Sequence, residues 1–159
     1  MMDAFNTPVE VGSRLLTMLV AAHPQPLDVN QLVILDHALI HSFDLGGPPS
    51  LHPAIPLRVG ELGMKRTNIE SALNLLLRTG LAVLSSNDRG FEYGAGEGAG
   101  HFLSLLESEY ARMLFERADW VVARFGDLDS ETLRQEMRGI FDAWAEEFDD
   151  TGPVSGGAA

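Results

Sequence analysis

Residues 50–84 decide the predicted fold, and they read SLHPAIPLRVGELGMKRTNIESALNLLLRTGLAVL. Within them, Thr67 suits a helix N-cap, because its hydroxyl can accept a hydrogen bond from the first turn. Glu70 stands three residues later, which makes a capping box. Apolar residues then recur at helical spacing until Gly80, a residue favoured just beyond a helix C-terminus. The pattern predicts a helix that starts at Thr67 and ends before Gly80.

Segments on both sides of this helix complete the predicted unit. Residues 57–64 form a short segment before it, with a tight break at residues 65–66. After the helix, residues 81–86 form an apolar strand, residues 87–90 have turn composition, and residues 91–95 return as a second strand. We therefore predict a mainly α (α+β) fold, a winged-helix-like domain with a two-stranded hairpin and C-terminal helices.

Two further helices are predicted before this unit. Pro8, which suits the first turn of a helix, begins the first one over residues 8–22. Asp28 can cap the second, over residues 29–43, whose apolar residues include Phe43 and predict a buried helix.

The chain after the hairpin is also predicted to be helical. One helix covers residues 108–125, and Asp129 or Ser130 caps the last one. Apolar residues at 3–4 spacing over residues 133–148 form a seam flanked by charge. Such a seam packs on something, and the sequence leaves open whether this is the same domain or another chain.

The length of 159 residues fits one domain. We expect residues 1–126 to form the winged-helix-like domain, residues 127–148 an acidic amphipathic C-terminal helix and residues 149–159 a disordered tail. The chain has no cysteine, which excludes disulfides and thiol chemistry. No apolar run is long enough to span a membrane, and we expect a cytoplasmic protein.

The charge of the chain is unevenly placed. The net charge of −12 argues against general nucleic-acid binding. Residues 58–89 nevertheless carry five basic and three acidic residues, whereas residues 127–150 carry nine acidic and two basic ones. The predicted winged helix is therefore not repelled by DNA, although it is not strongly attractive either.

Three histidines are the candidates for metal binding. His37 and His41 lie one helical turn apart, the spacing of a zinc-binding pair, and His52 is in the proline-rich loop. The favoured alternative is hydrogen bonding of His37 and His41 to nearby carboxylates or loop backbone, because no glutamate base stands between them. We expect no catalytic residue, no metal and no cofactor, and a metal hydrolase built on these histidines is the third hypothesis.

The DNA-facing candidates lie on the second helix of the predicted unit and at the hairpin turn. They are Lys65, Arg66, Asn68 and Arg89. The second helix of a helix-turn-helix enters the major groove, where Asn68 can pair with adenine and Arg66 with guanine. A winged-helix DNA-binding transcriptional regulator, dimerising through the seam at residues 133–148, is therefore the alternative function.

Several short motifs resemble one known family. The matching residues are Asn6-Thr7-Pro8-Val9-Glu10-Val11-Gly12, Leu35-Asp36, His41-Ser42, Asp44, Pro49-Ser50-Leu51-His52-Pro53, Pro56, Arg58, Gly60-Glu61-Leu62, Arg66 and Gly80-Leu81. Over residues 5–125 the chain resembles the middle component of bacterial ABC-three-component systems, which are akin to Lamassu-type anti-phage defence. These motifs indicate kinship better than mechanism.

The resemblance implies a non-catalytic adaptor subunit that bridges an SMC-like ABC ATPase and an effector, often a nuclease. Contact with DNA as part of the complex stays open, and no membrane contact is expected.

The candidate partner-binding residues form two groups. They are Ser50, Leu51, His52, Arg58 and Glu61 around the proline-rich loop, and Trp120, Phe141, Trp144 and Phe148 on the C-terminal helices. For the loop group, an internal strut is the slightly favoured alternative, because its polar side chains can satisfy buried loop backbone. For the aromatic group, the sequence does not say whether the rings face inward or toward a partner.

Overall fold

The computed structural model describes residues 7–51 and 61–138. Within these ranges, helices precede and follow one antiparallel hairpin. The elements are α1 (Pro8–Ala22), α2 (Val29–Ile40), α3 (Glu61–Arg78), β1 (Ala82–Asn87), β2 (Gly90–Ala95), α4 (Ala99–Ser104), α5 (Glu109–Phe125) and α6 (Ser130–Arg138). The predicted mainly helical α+β fold is confirmed.

Helix α2 lies at the centre of the core. Every residue from Gln31 to Ile40 is buried, so the helix has no solvent-facing stripe in this part. A helix that is buried all round needs neighbours on several sides. Helices α3, α5 and α6 all pack against α2, and α1 packs against α3 and α5.

Side-chain caps begin α2 and α6 at places that the sequence indicates. Asp28 and Gln31 form a reciprocal capping box at α2, with bonds of 2.7 and 2.8 Å between each side chain and the other residue's backbone N–H. Asp129 caps α6 by accepting a hydrogen bond of 2.7 Å from the backbone N–H of Thr132. The predicted cap at Asp28 is therefore confirmed, and Asp129 is the cap of α6.

The predicted break at residues 65–66 is wrong, because α3 is continuous through them. Thr67 consequently lies in the second turn of α3, and Glu70 pairs with Arg66, whose Nε is 3.3 Å from Glu70 Oε1. Residues 64–79 contain no glycine or proline, so nothing in the local sequence interrupts the helix. The described residues thus show one continuous helix where a short segment, a tight break and a second helix were predicted. Residues 57–60 lie outside the described residues.

Helix α2 is shorter than predicted, because it ends at Ile40 and a 3₁₀ turn follows at Ser42–Leu45. Phe43, placed by the prediction among the buried residues, is 68% exposed on this turn. The chain reverses here because the backbone N–H of Leu51 donates a hydrogen bond of 3.1 Å to the carbonyl oxygen of Ile40.

The hairpin pairs β1 with β2 without a bulge, from Ala82 opposite Ala95 to Asn87 opposite Gly90. The predicted strand bounds are therefore confirmed to within one residue. The other edge of β2 is bridged by Leu27, which exchanges two backbone hydrogen bonds of 2.8 Å with Tyr93. This bridge ties the hairpin to the start of α2.

Helix α6 begins the predicted C-terminal seam. Leu133 and Met137 are 0% and 2% exposed and belong to the core, and α6 packs against α2. The first part of the seam is therefore buried within this protein. Phe141, Trp144 and Phe148, three of the predicted partner-binding residues, lie outside the described residues.

None of the helices in residues 7–51 and 61–138 has the length and the apolar character needed to cross a membrane.

Candidate functional site

Three charged side chains from three helices meet inside the core. Arg14 of α1 donates from Nε and Nη2 to Oδ1 and Oδ2 of Asp36 of α2, at 2.8 and 3.2 Å. Lys65 of α3 completes the group, with its Nζ 2.7 Å from Asp36 Oδ2. The side chains of Arg14, Asp36 and Lys65 are 2%, 0% and 18% exposed. We call this group the buried charge triad.

Asp36 and Arg14 of the triad hold their charges at neutral pH. Burial alone would raise the pKa of Asp36, but Arg14 and Lys65 outweigh it and keep that pKa well below the usual range of a carboxyl. Burial would likewise lower the pKa of Arg14, and Asp36 reverses this and raises it. Because each charge has a partner in the protein interior, the triad fixes α1, α2 and α3 relative to one another.

His37 and His41, the first two metal candidates, are neighbours on α2 and its C-cap. Both are buried, at 6% and 8% exposure, and their ring centroids are 4.7 Å apart. Both side chains therefore belong to the buried part of α2 and its C-terminus. Among residues 7–51 and 61–138 no group of three histidine, aspartate or glutamate side chains is arranged to hold a metal ion. His52, the third candidate, lies outside these residues.

Burial lowers the pKa of His37 well below its ordinary value, and the nearby Lys65 and His41 act in the same direction. The unfolded chain, with a histidine pKa of about 6.5, therefore takes up this proton first as the pH falls. We expect His37 to reduce the free energy of unfolding below about pH 6.5, by at most about 1.4 kcal/mol per pH unit.

Urea unfolding at pH 7, 6 and 5 measures this slope. His37→Gln should flatten this slope of stability against pH. His101→Gln, at an exposed position on α4, is the control and should leave the slope unchanged. A slope that is the same in H37Q as in the wild type would contradict the assignment to His37.

The described part of the proline-rich loop is attached to the end of α2. Ser42 Oγ donates a hydrogen bond of 2.8 Å to the carbonyl oxygen of Pro48. Ser50 Oγ accepts one of 3.2 Å from the backbone N–H of Phe43. Ser50 and Leu51 are both half-buried. These contacts hold residues 48–51 against the end of α2, and the strut interpretation of the whole loop stays a prediction.

Helix α5 holds the same loop from another side. Arg117 Nε donates a hydrogen bond of 3.1 Å to the carbonyl oxygen of Pro49. The indole of Trp120 covers Gly47, where an added Cβ would lie only 2.5 Å from Cη2 of the ring. Trp120 also makes an edge contact with Phe125, with ring centroids 6.0 Å apart.

Trp120 is half-buried, and its described contacts lie within this protein. The roles of Ser50, Leu51 and Trp120 in partner binding stay predictions. Glu61 is the first residue of α3, and His52 and Arg58 lie outside the described residues.

Two of the three DNA candidates on α3, Lys65 and Arg66, have partners inside the protein. Lys65 belongs to the buried charge triad, and Arg66 Nη1 donates a hydrogen bond of 2.6 Å to Asn30 Oδ1. Asn68 is half-buried on the same helix. Two of the predicted basic contacts to DNA are thus engaged in structural pairs.

The remaining DNA candidate, Arg89, is exposed at the hairpin turn beside acidic side chains. It lines a polar groove of about 400 Å³ between the hairpin, the start of α2 and the start of α6. The acidic residues of this groove are Asp28, Glu92, Asp127, Asp129 and Glu131. Their charge opposes phosphate contacts, and DNA binding by Arg89 stays a prediction.

Sequence reasoning missed two features. The first is the buried charge triad, whose signal was a charged residue inside each of two apolar helical patterns, Arg14 and Asp36. The second is an exposed apolar surface on the hairpin, where Val83, Leu84 and Phe91 are 53%, 47% and 65% exposed. Its signal was a strand with apolar residues on both faces, a pattern typical of strands that are covered on both sides.

These observations define a small α+β domain with a rigid, charge-paired centre and an apolar hairpin surface. The chain belongs to the family described as ABC-three component (ABC-3C) system Middle Component 2, which it matches over residues 4–147. The resemblance seen in the sequence motifs is confirmed at the level of this family. A middle component of such a system has partner proteins within it. No curated protein and no solved structure matches the chain.

Proposed function

We propose that this protein is a non-catalytic adaptor of a Lamassu-like anti-phage defence complex. It links an SMC-like ABC ATPase to an effector, such as a nuclease, in the cytoplasm. The observation that carries the proposal is the family match over residues 4–147, because it covers nearly the whole chain and belongs to a component of a multi-protein system.

The physical features of the domain support a linking role. A linker needs a rigid body, and the buried charge triad together with the clasp of Arg117 and Trp120 on the proline-rich loop supplies one. It also needs apolar contact area, and several large side chains are available on the surface. Examples are Val83, Leu84, Phe91 and Leu105, which are 47–65% exposed.

The direct test is co-expression of the full chain with the ABC ATPase and the effector of its own system. We expect all three proteins to purify together through a tag on the ATPase. When the gene for this chain is left out, the effector should no longer be recovered. A second purification uses a tag on this chain, and recovery of neither partner with it would overturn the proposal. Turnover of a substrate by the purified chain alone would also overturn it.

A second assay separates the adaptor from the DNA-binding regulator. Duplex binding by the isolated chain should be absent or insensitive to salt. Salt-sensitive binding that is lost in Arg66→Glu or Arg89→Glu would instead favour the regulator. Lys65 is unsuitable for this test, because its loss removes a partner of buried Asp36.

A further inference from the structure

The hydrogen bonding of the hairpin leaves the outer edge of β1 open. Tyr93 uses its backbone N–H and C=O on Leu27, so both groups point away from β1. In an antiparallel ladder, the residue opposite has its own groups pointing away as well, and Leu84 is the residue opposite Tyr93. By alternation the backbone groups of Ser86 also point outward. Within residues 7–51 and 61–138 no backbone group bonds to these outward groups.

β1 also lacks the features that usually protect an exposed edge strand. Its sequence AVLSSN contains no charge and no proline, and its six pairs with β2 run without a bulge. All its residues after Ala82 are exposed. At about 3.4 Å per residue, the edge is about 20 Å long. An edge of this kind readily pairs with another strand.

The side chains beside this edge indicate the chemistry of the occupant. Leu84 and Phe91 lie on one face of the hairpin as diagonal neighbours, and Val83 lies on the other face. A strand added beside β1 would place its alternating side chains next to Leu84 on one face and Val83 on the other. Because β1 itself carries no charge, although the chain has a net charge of −12, apolar and uncharged side chains fit these positions.

We propose that the outer edge of β1 binds an extended, uncharged apolar strand of a partner subunit. The strand continues the two-stranded sheet by backbone hydrogen bonds to Leu84 and Ser86, the mode known as β-augmentation. This inference rests on the proposed adaptor function and names the surface through which one partner is held.

Two other occupants fit less well. Two copies of β1 paired in antiparallel fashion would touch over about 20 Å and one strand width, which is well below the roughly 800 Å² per partner of a standard interface. A partner that also contacts the protein elsewhere can add such a strand at a high effective concentration. Within this chain, residues 139–148 keep helical spacing, and residues 149–159 contain three glycines and a proline, a composition unlike a strand.

Hydrogen exchange of the β1 amides in the free full chain and in the complex with the ABC ATPase and the effector tests the proposal. The outward amides of Leu84 and Ser86 should exchange at least about tenfold more slowly in the complex. The inward amides of Val83 and Ser85 are already bonded within the hairpin and should change little. Complexes of this chain with each partner alone identify which partner supplies the strand.

A proline at position 86 isolates the backbone contribution. Ser86→Pro removes an N–H that points outward, so it leaves the bonds between β1 and β2 in place. We expect S86P to weaken partner binding at least about tenfold, whereas Ser86→Ala, which keeps the N–H, should bind as the wild type does. Leu84→Lys provides a second variant, because an edge lysine opposes strand addition without removing any hydrogen bond of the hairpin.

The outcomes separate this inference from the adaptor proposal. A complex in which Leu84 and Ser86 exchange as fast as in the free chain, or which S86P and L84K both leave intact, overturns strand docking while the adaptor role stands. Failure to form a complex with either partner overturns both. Slow exchange of the Leu84 and Ser86 amides in the free chain also overturns strand docking by a partner subunit. Loss of that protection on dilution would indicate a second copy, and its loss on truncation after residue 138 would indicate the C-terminal residues.

Discussion

Replacing Asp36 by asparagine should lower the free energy of unfolding by about 3–5 kcal/mol, the range for breaking a buried ion pair by removing one partner. The amide keeps the shape of the side chain but loses the negative charge that holds Arg14 and Lys65. The free-energy cost of losing the carboxylate should be largest at Arg14, because its side chain is 2% exposed and water cannot replace the carboxylate. Urea unfolding at pH 7, followed by circular dichroism, measures the change.

A matched control is available on α3. Arg66 and Glu70 form an ion pair of 3.3 Å, but their side chains are 43% and 53% exposed. Glu70→Gln should therefore cost at most about 0.5 kcal/mol, as exposed pairs of this spacing do. A loss in D36N as small as that in E70Q would contradict the structural importance of the buried charge triad.

The same carboxylate should make the protein sensitive to acid. The folded-state pKa of Asp36 is lower than its unfolded value of about 3.9, so its contribution to stability is complete above about pH 4. That contribution is lost as the pH falls from there through the folded-state pKa. D36N should lack this loss, and the wild-type and variant stabilities should therefore converge below about pH 4.

Gly96→Ala should lower the free energy of unfolding by about 2–3 kcal/mol, the upper part of the usual range for overpacking. Gly96 follows β2, and its N–H donates a hydrogen bond of 2.8 Å to the carbonyl oxygen of Leu81. An added Cβ would overlap the carbonyl oxygen of Gly80 and lie 2.9 Å from the carbonyl carbon of Leu81. Both neighbours are backbone atoms, so no side chain can rotate away to make room.

Gly100→Ala is the matched control for this prediction. Gly100 is exposed within α4, and no atom lies within 4 Å of an added Cβ. Alanine favours helix over glycine by about 0.5–1 kcal/mol, so G100A should raise the stability while G96A lowers it. Thermal and urea unfolding of both variants give the two signs. A G96A protein as stable as the wild type would show that the junction of α3, β1 and β2 can open at little cost.

Much of the local structure could be predicted because short-range chemistry controls it. The caps at Asp28 and Asp129, the hairpin around its two-residue turn and the mainly helical class all depend on residues within a few positions of one another. The break predicted before Thr67 is wrong because the same short-range pattern fits two different structures. A capping box is a local signal, and in a helix that continues upstream the same residues make side-chain pairs, as Arg66 and Glu70 do here.

The candidate surfaces were harder to predict. The proline-rich loop was recognised as special, but its attachment depends on Arg117 and Trp120, about 70 positions further along the chain. The open edge of β1 was not recognised, because it depends on Leu27, from a segment distant in sequence, bridging β2 and not β1. Periodicity within a strand does not show which of its edges is already paired.

The order of residues alone was sufficient for the fold class, the cap at Asp28, the strand bounds of the hairpin to within one residue and the family, since each depends on neighbouring residues or on short motifs. The three-dimensional arrangement decided that Arg14, Asp36 and Lys65 meet in the core and that, within residues 7–51 and 61–138, no strand pairs with the outer edge of β1. Both outcomes depend on which surfaces of distant helices and strands come together when apolar area is buried. Whether a charge is paired inside or exposed outside is settled only by that packing.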